Sequence, residues 1–85
     1  MENYGYVYLI TNKINNKKYV GMQASSTFDD FYWGSGKVIK NAINKYGTNS
    51  FERSILHWCA TATELSDTEY DELQNRNVAE SDEYY

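Results

Sequence analysis

The chain has 85 residues and a net charge of −4, with one cysteine, no proline and nine tyrosines. So short a chain holds one domain and one core, burying roughly 60–65% of its unfolded surface. The lone Cys59 excludes an intrachain disulfide and fits a reducing compartment, and no apolar run nears the ~20 residues of a membrane helix, so a soluble cytoplasmic protein without membrane contact is expected.

Tyr4 to Ile10 (YGYVYLI) is rich in aromatic and β-branched residues and predicts a strand, with Tyr4, Tyr6, Tyr8 and Ile10 on one face. Residues 11–17 carry three asparagines, which suit turns with left-handed backbone, and Lys18 to Met22 predicts a second strand closing a hairpin. Residues 23–36 form an irregular connector. Its aromatics Phe28, Phe31, Tyr32 and Trp33 are expected to pack over one end of the sheet, with Ser35 a candidate helix N-cap.

Lys37 to Tyr46 predicts a helix: at ~100° per residue, Val38, Ile39, Ala42, Ile43 and Tyr46 share an arc of about 140°. Gly47 stands where a left-handed C-cap belongs. Phe51 to Trp58 predicts a third strand, although its apolar residues alternate imperfectly, and a last helix is expected over about Thr63 to Arg76. The order β-β-α-β-α makes the class α/β (α+β), a small three-stranded antiparallel sheet flanked by helices.

Charge divides along the chain. Residues 1–63 hold seven Lys/Arg against four Asp/Glu (+3), and residues 64–85 hold one against eight (−7). A mildly basic body thus precedes an acidic segment, and weak intrinsic affinity for nucleic acid is expected at physiological salt.

Three groups of residues are chemical candidates. Glu69 falls between Leu65 and Leu73 on the face of the last helix that must dock, with Ala62 upstream on the same side, and a carboxylate there must be paired, protonated or bound to a metal. Two ordinary readings compete. Ser66 to Glu69 fits a capping box, although Thr61 to Glu64 offers another one turn earlier, and Glu72 and Arg76 at i,i+4 spacing would form an ion pair. Tyr8 and Tyr19 face each other across the hairpin, as a shared site or as a cross-strand aromatic pair. Lys17, Lys18, Lys37 and Lys40 suit phosphate or simply solvent. The Gly34-Ser35-Gly36-Lys37 run is too short for a nucleotide-binding P-loop, and one His (His57) and one Cys supply too few ligands for zinc.

With these residues in place, the sequence resembles the GIY-YIG nuclease family from Tyr6 to Tyr85. Tyr6-Val7-Tyr8 followed by Leu9-Ile10-Thr11-Asn12 is similar to the first half-motif, and Tyr19-Val20-Gly21 to the second. Downstream, Tyr32-Trp33-Gly34-Ser35-Gly36-Lys37, Ala42-Ile43-Asn44-Lys45-Tyr46-Gly47, Asn49-Ser50-Phe51 and Glu80 to Tyr85 resemble a phage-type homing-endonuclease branch. The resemblance implies one catalytic domain, residues 1–85, of a longer protein, acting on DNA; for the isolated domain a monomer is expected. It implies that Tyr8 helps activate the attacking water, that Tyr19 shares that site, and that Glu69 holds one Mg²⁺ or Mn²⁺ ion.

The chain departs from the family pattern at several places. Tyr6 stands where the first motif opens with glycine and Gly5 is displaced by one, which points to a bulge or register shift. The arginine that many members carry soon after the second motif has no counterpart in residues 27–31. Lys37 is the candidate replacement, followed by Lys40 and Lys18, which are also the candidate phosphate contacts. The family's distal asparagine would fall beyond Tyr85. The expected function is a metal-dependent endonuclease domain cutting DNA phosphodiesters, with sequence specificity supplied by a separate region. The alternatives are a catalytically inactive module of the same fold that binds nucleic acid or protein, and an acidic protein whose tail binds a basic partner.

Overall fold

Gly5–Asn12, dense in tyrosine and β-branched side chains, forms strand β1 in the computed structural model, which describes residues 3–28, 32–34 and 36–85. β1 lies in the middle of a three-stranded antiparallel sheet of order β2-β1-β3, with β2 at Lys18–Gln23 and β3 at Phe51–Cys59. Both faces of a middle strand are covered, and Tyr6, Val7, Tyr8 and Ile10 are each 2% exposed or less.

The alternation along β1 separates two cores. Tyr6, Tyr8 and Ile10 pack with Phe51 and with Ile39 and Ala42 of helix α1 (Lys37–Tyr46). Val7 packs with Val20, Cys59 and Leu65 of helix α2 (Ala62–Asn75). The helices therefore cover opposite faces, and the α+β order β-β-α-β-α is as expected. Short 3₁₀ turns at Thr48–Ser50 and Val78–Glu80 complete the chain. No helix among the described residues is long and apolar enough to cross a membrane.

The irregular alternation in β3 has a local cause. Val7 pairs with His57 but Tyr8 pairs with Ile55, so β3 carries one extra residue, Leu56, at a bulge. Three residues apart, Ile55 and Trp58 can then face the same side, opposite Tyr8 and Tyr6, while Leu56 joins the other core. The irregularity lies in β3; the β1–β2 register runs unbroken from Tyr6 to Thr11.

Several element ends differ from expectation. β1 starts at Gly5, not Tyr4, and continues through Thr11 and Asn12, which find partners in Lys18, Glu52 and Phe51. The turn beyond holds Asn16 at φ 61°, the left-handed backbone that asparagine accepts. Asn12 is buried; its Oδ1 accepts from the Ile14 N–H at 2.9 Å and its amide donates to the Tyr85 hydroxyl at 3.0 Å.

Helix α1 has the predicted bounds, but its N-cap is Gly36 without a side-chain bond, so the cap expected of Ser35 falls one residue off; Ser35 and Phe31 lie outside the described residues. Val38, at the rim of the apolar arc, is 59% exposed, because the sheet contacts only the arc's centre. Gly47 has positive φ (83°) as expected but an extended ψ, and its N–H donates to the Ile43 carbonyl at 2.8 Å.

The competing capping boxes of α2 resolve in favour of the earlier one. Thr61 is the N-cap, its Oγ1 accepting from the Glu64 N–H at 3.1 Å, and the Glu64 carboxylate accepts from the Ala60 N–H at 2.8 Å. Ala62 therefore sits in the first turn and is exposed, against expectation. Glu69 lies well inside the helix and has no capping role. Thr61→Ala is expected to destabilise the domain by ~1 kcal/mol, a fall of about 4–8 °C in a thermal melt. An unchanged melt would mean that α2 is held by packing alone.

The tail returns to the open side of β2. Lys18 donates its N–H to the Glu83 carbonyl and accepts from the Tyr85 N–H, both at 2.8 Å, in a short parallel bridge with Tyr84. Of the connector aromatics, Phe28 packs on Tyr6 (ring centroids 5.6 Å) and Tyr32 meets Tyr8 edge-on (5.7 Å), as expected.

Candidate active site

Tyr8 and Gly21 are direct partners across the β1–β2 hairpin, and the missing side chain of Gly21 is what lets the Tyr8 ring lie across β2. A Cβ on Gly21 would stand 2.6 Å from Tyr8 Cζ and 2.9 Å from Tyr19 Cε1. Tyr19, opposite Ile10 on the same face, has its ring 6.2 Å from that of Tyr8. Gly34, at φ 93°, continues the cradle: a Cβ there would lie 3.3 Å from both the Tyr8 oxygen and Tyr19 Cε1. Three glycines, Gly21, Gly34 and Gly36, thus line one small space around two phenols.

The phenols form a cluster. The Tyr8 ring lies 6.2 Å from that of Tyr19 and 5.7 Å from that of Tyr32, and a Cβ on Gly36 would stand 3.2 Å from the Tyr19 oxygen. Burial, reinforced by the neighbouring phenols, pushes Tyr8 far above the ordinary tyrosine value, so it is neutral at any physiological pH. Burial also raises Tyr19, and Tyr32 and Glu69 add to the rise, while Tyr8 and Gly36 oppose it.

The charge of Glu69, on α2, raises Tyr19, which stands on the edge strand β2. The Glu69 side chain is half-buried, and desolvation raises its pKa above the ordinary carboxylate value. The ion pairs among the described residues run from Glu72 to His57 and to Arg76, both at 3.5 Å, and leave Glu69 without a cation. A desolvated carboxylate beside phenol oxygens is an all-oxygen donor set, which fits Mg²⁺ or Mn²⁺ with waters completing the shell.

The basic candidates separate. Lys37 opens α1 directly after Gly36, and Lys40 lines a groove with Trp33, Gly34, Ile43 and Asn44 that shares Gly34 with the Tyr8 cradle. Lys18 turns elsewhere, its ammonium donating to the Asn16 carbonyl at 3.2 Å. Sequence reasoning did not single out Tyr32 or Arg53 for this site, nor the three-glycine cradle. The available signal was a connector with too many aromatics for a solvated loop, together with the one arginine of residues 1–63.

An antiparallel hairpin that packs a buried phenol, Tyr8, against a half-buried one, Tyr19, in a cradle of glycines is the structural frame of a nuclease of this fold. The chain belongs to the GIY-YIG nuclease family: the family described as "Putative endonuclease segE, GIY-YIG domain" matches residues 25–85. Among curated proteins of Enterobacteria phage T4, "Putative endonuclease segE" is 43% identical over 82 residues, covering 96% of this chain and 40% of that protein. "Putative endonuclease segB" is 51% identical over 53 residues (62% of this chain, 24% of that protein), and "Endonuclease segA" is 45% identical over the same shares. The chain thus spans less than half the length of these relatives. No solved structure matches.

Proposed function

We propose that this domain hydrolyses DNA phosphodiester bonds with one Mg²⁺ or Mn²⁺ ion held by Glu69, in the manner of a phage-encoded homing-type endonuclease. The packing of Tyr8 against Tyr19 in the glycine-lined cradle supports the reading, together with the influence of the Glu69 charge on Tyr19. When bound, the ion offsets charge on the transition-state phosphate and on the leaving oxygen.

The chain's own groups do the positioning. Tyr8 stays neutral, and its oxygen accepts a hydrogen bond from the attacking water. Tyr19, with its ring beside that of Tyr8, gives its proton to a phosphate oxygen. Lys37 supplies positive charge beside the reacting phosphate and Lys40 holds the flanking backbone in the Trp33–Asn44 groove.

The test is cleavage of supercoiled plasmid at low salt with Mg²⁺, Mn²⁺ or chelator. Wild type is expected to nick only with metal, and folded Tyr8→Phe to be slower by about 10²-fold or more. Silence of the wild type, both alone and fused to a DNA-binding module, would end the nuclease reading for this chain. The lysines should divide by kinetics. Lys37→Ala lowers kcat by about tenfold to a hundredfold, while Lys40→Ala raises KM and reduces the salt slope of binding by about one. Equal effects on both parameters in both variants would remove the distinction.

A further inference from the structure

We propose that the groove beside α1 receives one nucleobase next to the cut, with Trp33 as its stacking wall and Asn44 as the group that reads its edge. The inference rests on the nuclease reading above and adds to it a preferred base, adenine.

The groove has a volume of about 270 Å³ and is lined by Trp33, Gly34, Lys40, Ile43 and Asn44. That is just under the ~300–1,000 Å³ of pockets that take drug-sized molecules, a size suited to a single base. Trp33 and Ile43 make the lining apolar, while Lys40 and Asn44, one turn apart on α1, add one cation and one amide. Among the described residues, neither of these two side chains forms a hydrogen bond or an ion pair, which leaves both to a ligand. A flat heteroaromatic ring with a polar edge matches such a lining.

The stacking wall is fixed in advance. The Arg53 guanidinium lies 4.1 Å from the centroid of the Trp33 ring, and its Nη1 donates to the carbonyl oxygen of Tyr32. A planar guanidinium can stack and donate in its plane at once. On the other side of Trp33 in the chain, the positive φ of Gly34 sets that glycine against Ile39. A ring so held loses little freedom when a base stacks on it, and that stacking offsets part of the cost of taking a base out of a duplex.

The groove adjoins the chemistry. It shares Gly34 with the Tyr8 cradle, where a Cβ on that glycine would lie 3.3 Å from the Tyr8 oxygen. A base seated there belongs to a nucleotide beside the scissile phosphate, and Lys40 meets the adjoining backbone. An asparagine amide offers one acceptor and one donor, which pair with the N6 amino group and N7 of adenine. On the same edge guanine presents two acceptors, and neither pyrimidine presents such a pair.

A surface asparagine without a ligand would leave base preference untouched, so the test reads that preference. The 85-residue chain is assayed as wild type, Asn44→Ala and Trp33→Leu, with thermal melts confirming folding. Asn44 is exposed, so its variant keeps the fold. Cut positions are mapped on plasmid, and rates are then measured on duplexes carrying each base at the positions flanking the cut. Wild type is expected to favour adenine at one flanking position by about tenfold to a hundredfold in kcat/KM, and Asn44→Ala to reduce that ratio to about twofold or less. Trp33→Leu should lower kcat/KM about tenfold whichever base is present, because stacking is indifferent to base identity. No preference in wild type, preference for another base, or an adenine preference kept by Asn44→Ala overturns the assignment.

A second readout does not require cleavage. Short single-stranded oligodeoxyadenylate and oligothymidylate are titrated with chelator at low salt into ¹⁵N-labelled protein. The Trp33 indole N–H signal, assigned by its absence in Trp33→Leu, is expected to move at least twice as far with adenylate, and the difference to vanish in Asn44→Ala. A Trp33 signal that neither oligonucleotide moves, or that moves no more than that of Trp58, sinks the base site even if the wild type cuts DNA. A silent wild type with adenine-dependent shifts at Trp33 would remove the nuclease reading and leave the base site standing.

Discussion

Glu69→Gln is expected to abolish metal-dependent cleavage and, without metal at pH 7.5, to make the domain more heat-stable than wild type. Both effects follow from one carboxylate. Desolvation raises the folded-state pKa of Glu69, so the folded chain holds that proton more tightly than the unfolded chain does. Its relative contribution to stability is present below the unfolded value and is lost as pH rises through the folded one. At neutral pH the ionised group therefore opposes folding, and the neutral amide removes that opposition. The gain in melting temperature should shrink toward pH 4, where the wild-type carboxyl is itself protonated.

A bound cation reverses the sign. At a metal concentration about tenfold above Kd, linkage adds ~1.4 kcal/mol to the wild type, several degrees in a melt of this size, and nothing to Glu69→Gln. Melts with and without Mg²⁺ at pH 4 and pH 7.5 separate the two effects. A variant that is less stable without metal, or that keeps the metal-induced rise, would place the ion elsewhere.

Gly21→Ala is expected to disable the site from the opposite strand, without touching a candidate catalytic side chain. The added Cβ would need space held by the end of the Tyr8 ring and by Tyr19 Cε1, both closer than any real contact allows. Tyr8 is buried among Tyr6, Ile39 and Tyr32, so its ring cannot give way without unseating the connector. Overpacking of this kind costs roughly 1–3 kcal/mol, a fall of about 4–8 °C for each kcal/mol. Activity should fall further than stability, by about 10²-fold at temperatures where the variant remains folded, because an ångström of displacement at Tyr8 is enough. As a control, Gly47→Ala, where a Cβ meets nothing within 4 Å, is strained by its positive φ but stands outside the cradle; it should lose stability and keep its kcat. Matching losses of kcat in the two variants would show that the fold, and not the cradle, is being measured.

Much of this was legible along the chain. The period-two run of Tyr4 to Ile10 and the 3.6-residue period of Lys37 to Tyr46 are local signals, and the structure returns both elements close to their predicted bounds. Tyr8 and Tyr19 could be brought to one face as diagonal neighbours, since a hairpin's register is a short-range property of its turn. Other features depend on partners distant in sequence. The β3 alternation looked poor because the bulge at Leu56 answers to pairing with β1, some fifty positions earlier. Val38 and Ala62 were assigned to buried faces by periodicity, but how far a neighbouring layer extends decides whether a rim residue is covered.

The division is the same at the site. The elements, two tyrosines on one face of a hairpin and an acidic residue on a docking helix face are all readable along the chain, since each is a matter of spacing within one element or one hairpin. Packing between elements makes Thr61 the cap of α2, which leaves Glu69 inside the helix, and sets the Tyr32 ring against Tyr8 with its carbonyl on Arg53. Those relations link residues from different elements, and their distances are set by how helices, sheet and connector pack, a quantity that no local pattern of residues carries.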